Sequence, residues 1–314
     1  MKTPYVLVFK PKELVYDNPV EKLPEWCRFP MSFAERCHYY RLQGLEIVSQ
    51  YIHCAPFYID MFDIKANRPM AVPFEIPRRQ LFLYFMLGGT LSITSGNTCP
   101  VTQVHANTFA MLYYGSGRYT VHAGKGHHTV LFVNMAPEWL ENISTDFPGL
   151  QFILEKFRHS SRPYHMMHTC RIDRKVRRWL YKVYSYSNNN IGVLDGNLRK
   201  YLSYILGHYN SVLGPQYHKL AHRVKMYLDD HYRSDLLNAG FLALQFQVTE
   251  RTLRNHFKRE YGITPHEYYS KLRVTDAIAQ MEHNDLSAKD VYLSVGYNDE
   301  RSFRYALSRY LKNK

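Results

Sequence analysis

Up to about Asn142 the chain alternates short apolar runs with turn signals. GLEIVSQYI, LFLYFML, TLSIT, TFAMLYY and HTVLFVNM are of strand length and rich in β-branched and aromatic residues. Between them stand ANRP, LGG, SGNTCP, YGSG and AGKG, whose Gly, Pro and Asn favour tight turns. Many short strands at such spacing predict a sandwich or barrel of the jelly-roll kind. From Ala136 to about Phe157 the pattern becomes helical. Helical segments follow between Met167 and Val212, the first with Ile172, Val176, Trp179, Leu180 and Val183 on one face, the second with Leu198, Leu202, Ile205 and Tyr209. SNNN separates them, and LGPQ (Leu213 to Gln216) reads as a hinge. Packing on the β domain and a dimer interface are equally good uses for these helices. The basic run RIDRKVRRW suits a packed helix with a solvated face better than a DNA contact.

Residues 215–314 are helical in pattern throughout, so the expected organisation is a β domain over 1–160, a helical linker or dimerisation segment over 161–214, and an all-α domain over 215–314. Within the last, VTERTLRNHFKREYG starts with Thr249 as N-cap and Glu250 in the first turn, and stops at Gly262. At about 100° per residue Leu253 and Phe257 share the inner face, while Arg251, Arg254, Asn255 and Lys258 fall on the opposite one. Alone, such a face would be read as solvated. Before it, LNAGFLALQFQ supplies Leu237, Phe241 and Leu244 as an apolar stripe, then a tight turn at Gln247 and Val248. Helix, tight turn and capped helix make a helix-turn-helix, whose second helix enters the major groove.

The arrangement recurs in SAKDVYLSVGYNDERSFRYALSRYL. Ser287 and Asp290 start it as a capping box, Gly296 breaks it, and Asn298 or Asp299 caps the next helix. There Phe303 and Leu307 point inward, and Arg301, Arg304, Tyr305 and Ser308 repeat the outward set. A connector helix over 264–283 begins at Thr264-Pro265-His266-Glu267, with Tyr268, Leu272 and Ile278 among its apolar positions. A stiff connector lets both reading helices enter successive major-groove segments, about 34 Å apart.

Charge changes this picture less than arrangement does. The chain carries +13, yet residues 215–314 hold 16 Lys+Arg against 12 Asp+Glu, so bulk charge does not single out the helical region. No apolar run reaches the length of a membrane helix, and MKTPYVLVFKPKEL has no signal-peptide pattern. The five cysteines show no CxxC spacing and read as reduced thiols, so a cytoplasmic location is expected.

The order FKREYG, TPHEYY, LR and VGYND over residues 217–312 resembles the AraC/XylS family of bacterial transcription regulators. The resemblance implies that Arg251, Arg254 and Asn255 in one helix, and Arg301, Arg304 and Tyr305 in the other, read bases. Arginine suits guanine and asparagine adenine. Lys258, Ser308 and Arg309 would position the backbone through phosphates. The chain departs from the family pattern at Gln247 (usually glycine), Tyr292 (usually small) and Leu307 (usually Phe). It ends at RYLKNK, without the Gly-x-x-Pro-x-x-Tyr-Arg tail. By position and strand pattern the N-terminal half resembles the family's cupin-like sensory domain. The expected fold is thus multidomain α+β, a cupin-like jelly-roll barrel plus helices followed by an all-α domain with a pair of helix-turn-helix units. The expected partners are double-stranded DNA, a small effector of anionic or aromatic character, a second copy of the chain and RNA polymerase, with no membrane and no cofactor.

The alternative is a cupin-type metalloenzyme with a helical interaction module. His105, His122, His127 and His128 raise it, because neighbouring imidazoles can bind Zn or Fe. No HxH-Glu signature is present, and no Asp or Glu occurs between Glu75 and Glu138. No catalytic and no metal residue is therefore assigned. The same window supplies Arg78, Tyr84, Tyr113, Arg118 and His122 as candidate effector contacts, a basic and aromatic set suited to an anionic or phenolic molecule.

Overall fold

A computed structural model describes residues 3–9, 14–20, 22–95, 99–160, 162–186, 190–217, 219–284 and 286–312. The chain forms two units, Met1–Leu213 and Gly214–Lys314. The first begins with β1 (Val6–Leu7), β2 (Leu14–Pro19), β3 (Arg36–Leu42), β4 (Leu45–Cys54), β5 (Phe57–Ala66) and β6 (Met70–Ile76). It continues through β7 (Gln80–Gly88), β8 (Thr90–Ser95), β9 (Cys99–His105), β10 (Thr108–Tyr114), β11 (Gly117–Ala123) and β12 (Gly126–Met135). Then come α1 (Pro137–Ser144), α2 (Pro148–His159), β13 (Tyr164–Met166), β14 (Cys170–Arg171), α3 (Arg174–Tyr184) and α4 (Ile191–Tyr217).

The strands form two antiparallel sheets. The smaller runs β1-β6-β11-β8-β9; the larger runs β13-β10-β7-β12-β5-β4-β3-β2, with β14 also on β10. Side chains alternate between faces. Phe62 of β5, Phe82 and Tyr84 of β7 and Phe132 of β12 turn to an interior cavity shared with Val72 and Ile93 of the smaller sheet. Their neighbours Met61, Leu83 and Leu131 are buried on the opposite face. Helices cover that face: the Phe57 ring meets Trp139 of α1 at 4.7 Å, and Phe109 meets Tyr209 of α4 at 5.2 Å. Burial on both faces explains why LFLYFML reads as an unbroken apolar run.

Helix α3 is capped by Asp173, which accepts from the Val176 N–H at 2.9 Å. Val176, Leu180 and Val183 are buried while Arg174, Lys175, Arg177 and Arg178 are exposed, as a packed helix with a solvated basic face requires. In α4, Leu198, Leu202, Ile205 and Tyr209 are buried. The Tyr209 hydroxyl donates to the His168 carbonyl at 2.7 Å and accepts from the Met111 N–H at 3.3 Å, fixing this helix to β10. The segment Leu213–Gln216, expected as a hinge, is helical at the end of α4, and the boundary between the two units falls within it, between Leu213 and Gly214.

The second unit comprises α5 (Leu220–His231), α6 (Ala239–Gln245), α7 (Glu250–Tyr261), α8 (Pro265–Asn284), α9 (Ala288–Val291) and α10 (Glu300–Lys312). Val224, Leu228, Leu237, Leu242, Leu253, Phe257 and Tyr269 form one core cluster; Ala277, Val291, Val295 and Phe303 form another. Helix α8 contributes to both, through Tyr269 and Ala277. Leu244, expected on the inner stripe of α6, is 83% exposed, and Leu242 takes its place at 0%. The helix is so short that its register is set by its Asn238 cap, which accepts from the Phe241 N–H at 2.8 Å. Among the described residues no helix is long and apolar enough to cross a membrane.

Candidate nucleic-acid interface and interior cavity

The two turn-and-helix segments of the second unit are built alike. In the first, the Gln247 N–H bonds the Leu244 carbonyl at 3.1 Å and the Val248 N–H bonds Ala243 at 3.0 Å. In the second, Gly296 bonds Leu293 and Tyr297 bonds Tyr292, both at 3.0 Å. Both turns need a left-handed residue: Gln247 has φ 55° and Gly296 has φ 93°. Glycine is mandatory only at the second, where a Cβ would stand 2.5 Å from the Arg233 carbonyl oxygen. Tyr292, where a small residue is usual in the resembled family, packs partly buried against the second core cluster.

Each following helix is capped by a side chain. Thr249 accepts from the Thr252 N–H at 3.1 Å, and Asp299, not Asn298, accepts from the Ser302 N–H at 2.8 Å. That backbone bond, with the Ser302 hydroxyl, holds the Asp299 carboxyl below its usual range. Leu253 and Phe257 are buried on the inner face of α7, Phe303 on that of α10, with Leu307 partly buried beside it. Arg251, Arg254, Asn255 and Lys258 are all exposed on α7, as are Arg301, Arg304, Tyr305 and Ser308 on α10. Tyr305 is 71% exposed, a large ring without burial in the second unit. Arg304 is paired with Glu300 at 2.6 Å, one turn before it on the same exposed face. Arg309 lies 4.0 Å from Glu267.

Helix α8 begins with the expected capping box: the Glu267 carboxylate accepts from the Thr264 N–H at 2.8 Å, and Thr264 Oγ1 accepts from the Glu267 N–H at 3.2 Å. Tyr268, Leu272 and Ile278 are only partly buried; Tyr269, Val274 and Ala277 form the inner stripe. Pattern reading overlooked Arg273 in that stripe. Its guanidinium donates to the Tyr232 and Ser234 carbonyls, each at 2.6 Å, and lies over the rings of Tyr269 and Tyr297. Burial lowers its pKa, against the pull of those two tyrosines. Beside it Arg233 grips Asp276 at 2.7 and 2.9 Å. The spacing Tyr269, Arg273, Ala277 was the available signal, since an i, i+4, i+8 row shares one helix face. A second overlooked group joins α5 to α8: Asp229 accepts from Lys225 at 2.8 Å and from the Tyr268 hydroxyl at 2.6 Å. Burial opposes the Lys225 charge, but Asp229 outweighs it and the ammonium pKa is raised.

In the first unit the candidate effector contacts do not converge. Tyr84 lines the interior cavity. Tyr113, on the other face of its strand, is buried where Arg79 lies over its ring at 5.1 Å. Arg78 is exposed, and Arg118 is exposed and paired with Glu75 at 2.6 Å. His122 meets Thr94 Oγ1 at 3.0 Å and lines a separate open groove with Lys125, His127 and His128. These residues therefore do not share one pocket: the cavity beside Tyr84 is apolar, and the groove at His122 is a separate one. The cause is strand alternation, because residues adjacent in a pattern point to opposite faces. Nor do the four histidines converge: His105 is exposed, and His128 accepts from the Thr90 N–H and bonds the Gly124 carbonyl. Among the described residues no group of three His, Cys, Asp or Glu is placed to hold a metal.

At one end of the interior, Asp60 accepts hydrogen bonds from Tyr5 and from Ser49, the latter at 2.9 and 3.0 Å. Burial pushes its carboxyl up to about 7, opposed by the Tyr5, Ser49 and Tyr58 hydroxyls.

A helix-turn-helix domain family matches residues 242–313. The HTH-type transcriptional activator RhaS of Escherichia coli is 32% identical over 77 residues, 24% of this chain and 27% of that protein. The match therefore spans about a quarter of the curated relatives' length. Among solved structures, ToxT from Vibrio cholerae aligns over 81% of this chain and 93% of its own, at 10% identity and TM-score 0.32. The AraC-like transcriptional activator CuxR aligns over 77% and 82%, at 11% identity and TM-score 0.33.

Proposed function

We propose that the chain, whose residues 242–313 match a helix-turn-helix domain family, is a sequence-specific DNA-binding transcription regulator of the AraC/XylS kind, controlled by a small molecule held in its β domain. The observation that carries the reading is the repetition: two capped helices, each behind a left-handed turn, expose equivalent side chains at i, i+3, i+4 and i+7. In this reading Arg251, Arg254 and Asn255, with Arg301, Arg304 and Tyr305, contact base edges. Lys258 and Ser308 contact phosphates. Helix α8, locked by Arg273 and Asp276, sets the separation of the two reading helices. Phosphate contacts supply affinity that falls with salt, and the arginines supply discrimination of about 1–3 kcal/mol per bidentate pair. Effector control requires the ligand to prefer the chain state that binds DNA better or worse. A second copy of the chain and RNA polymerase complete the set of partners this reading assigns.

In-vitro selection of bound duplexes by the full chain tests it. Enrichment of a motif with contacts in two successive major-groove segments is expected. Recovery of unrelated sequences in proportion to their abundance would leave only non-specific attraction, and the regulator reading would fall. The metalloenzyme alternative predicts stoichiometric metal by elemental analysis of the purified chain, with no selected motif.

A further inference from the structure

The interior cavity of the β domain lies between the two sheets and measures about 80 Å³. Its wall is almost wholly hydrocarbon: Phe62, Phe74, Phe82, Phe132, Ile93 and Val104 are typical of it. Among the described residues that line it there is no Arg, Lys or His. The Asp60 carboxyl bonds the hydroxyl of the lining residue Tyr5 and is itself already supplied with donors. Tyr114, another lining residue, is 3% exposed, and its hydroxyl has no hydrogen-bond partner.

Resting on the effector-controlled reading above, we propose that the β domain takes an uncharged, hydrocarbon-rich molecule of about one ring, bearing at most one hydrogen-bonding oxygen, and rejects carboxylates, sugars and phosphates. Charge decides the first part. An anion brought into this wall would lose its hydration and find no cation, a cost that uncharged molecules of the same shape escape. A sugar would strand several hydroxyls in the same way. Size decides the second part. A cavity of about 150 Å³ lined by Leu, Ile and Phe holds benzene, so a space of about 80 Å³ takes a molecule of about one ring only as its side chains adjust. The Tyr114 hydroxyl, like that of Tyr84 in the same wall, is one that a single ligand oxygen would satisfy.

Titration calorimetry on the full chain at pH 7.5 separates the cases with three near-isosteric probes, ethylbenzene, acetophenone and benzoate. Ethylbenzene and acetophenone are expected to bind, and benzoate to bind at least tenfold more weakly than acetophenone. Ala123→Leu and the milder Val72→Leu both add bulk to the cavity and should each weaken the two uncharged probes at least fivefold, with native far-UV circular dichroism confirming the fold. Tyr114→Phe should lower acetophenone affinity while leaving ethylbenzene unchanged. Benzoate binding as tightly as acetophenone, or uncharged-probe affinity untouched by both filling variants, overturns the ligand class. So does failure of both uncharged probes to bind. The effector reading is scored separately by DNA affinity: acetophenone that binds in the cavity without moving DNA affinity supports the ligand class and removes effector control. Benzoate that binds and moves DNA affinity does the reverse.

Discussion

Replacing Gln247 by glycine should stabilise the second unit. Gln247 holds the turn between α6 and α7 at φ 55°, a conformation that crowds its Cβ against the backbone. Left-handed geometry costs a residue with a Cβ about 1–2 kcal/mol, and the added freedom of glycine in the unfolded chain returns about 0.5–1 kcal/mol of that. The Gln247 side chain is exposed, and its N–H bond to Leu244 belongs to the backbone, so the substitution removes no buried contact. A net gain of about 0.5–1 kcal/mol follows, or a rise of roughly 2–8 °C in the melting of a unit this size. Scanning calorimetry of the full chain, following the transition of the C-terminal unit, reads it. Gln247→Ala is the control and should change little, since alanine keeps the Cβ. A Gln247→Gly chain that melts at or below the parent temperature would show that the turn is not strained as its φ implies. The equivalent turn predicts the opposite sign: Gly296→Ala would force a Cβ to within 2.5 Å of the Arg233 carbonyl oxygen and must displace backbone.

Removing the Arg273 head group in Arg273→Met leaves the Tyr232 and Ser234 carbonyls without their donors, and should cost about 2–4 kcal/mol in urea unfolding; a change under about 0.5 kcal/mol would dismiss the bridge. Asp60 binds its proton in the folded chain up to about pH 7, while in the unfolded chain it releases it near pH 4. Its contribution is therefore fully present below about pH 4 and is lost as pH rises towards 7. Asp60→Asn should remove that part of the decline in first-unit stability, measured by denaturant midpoints from pH 4 to 8; an unchanged slope would reject the assignment. Lys258→Ala should weaken binding to all duplexes alike and reduce the slope of log affinity against log salt by about 1.

The second unit was largely legible because its signals are local. Caps, glycines and the inward pairs Leu253/Phe257 and Phe303/Leu307 act within one or two turns, and the structure places each where the pattern expects it. Leu244 misled because a helix of one or two turns offers too little period to fix its register. Arg273 was hidden by its residue type, since its burial rests on carbonyls of a distant loop. In the first unit the five apolar runs read as strands fall on β4, β7, β8, β10 and β12, whereas β3, β5, β6 and β11 were not picked out, Ile172 lies outside α3, and the pocket was not legible. Tyr84 and Tyr113 look equivalent in sequence, yet they stand on opposite faces of the larger sheet; the pairing that decides this is non-local, with Tyr84 opposite Ala110 and Tyr113 opposite Leu81. Arg118 looked like an anion ligand until Glu75, its partner across the sheet, was placed beside it.

The central claim is that exposed side chains on α7 and α10 read bases, and paired selections test it most directly. Random duplexes would be selected in parallel with the parent chain, Arg254→Ala and Arg301→Ala. Each variant should lose preference at its own part of the motif, Arg254→Ala in one segment and Arg301→Ala in the other, while the remaining positions persist. If both variants recovered the parent motif unchanged, these helices would not be the readers of sequence.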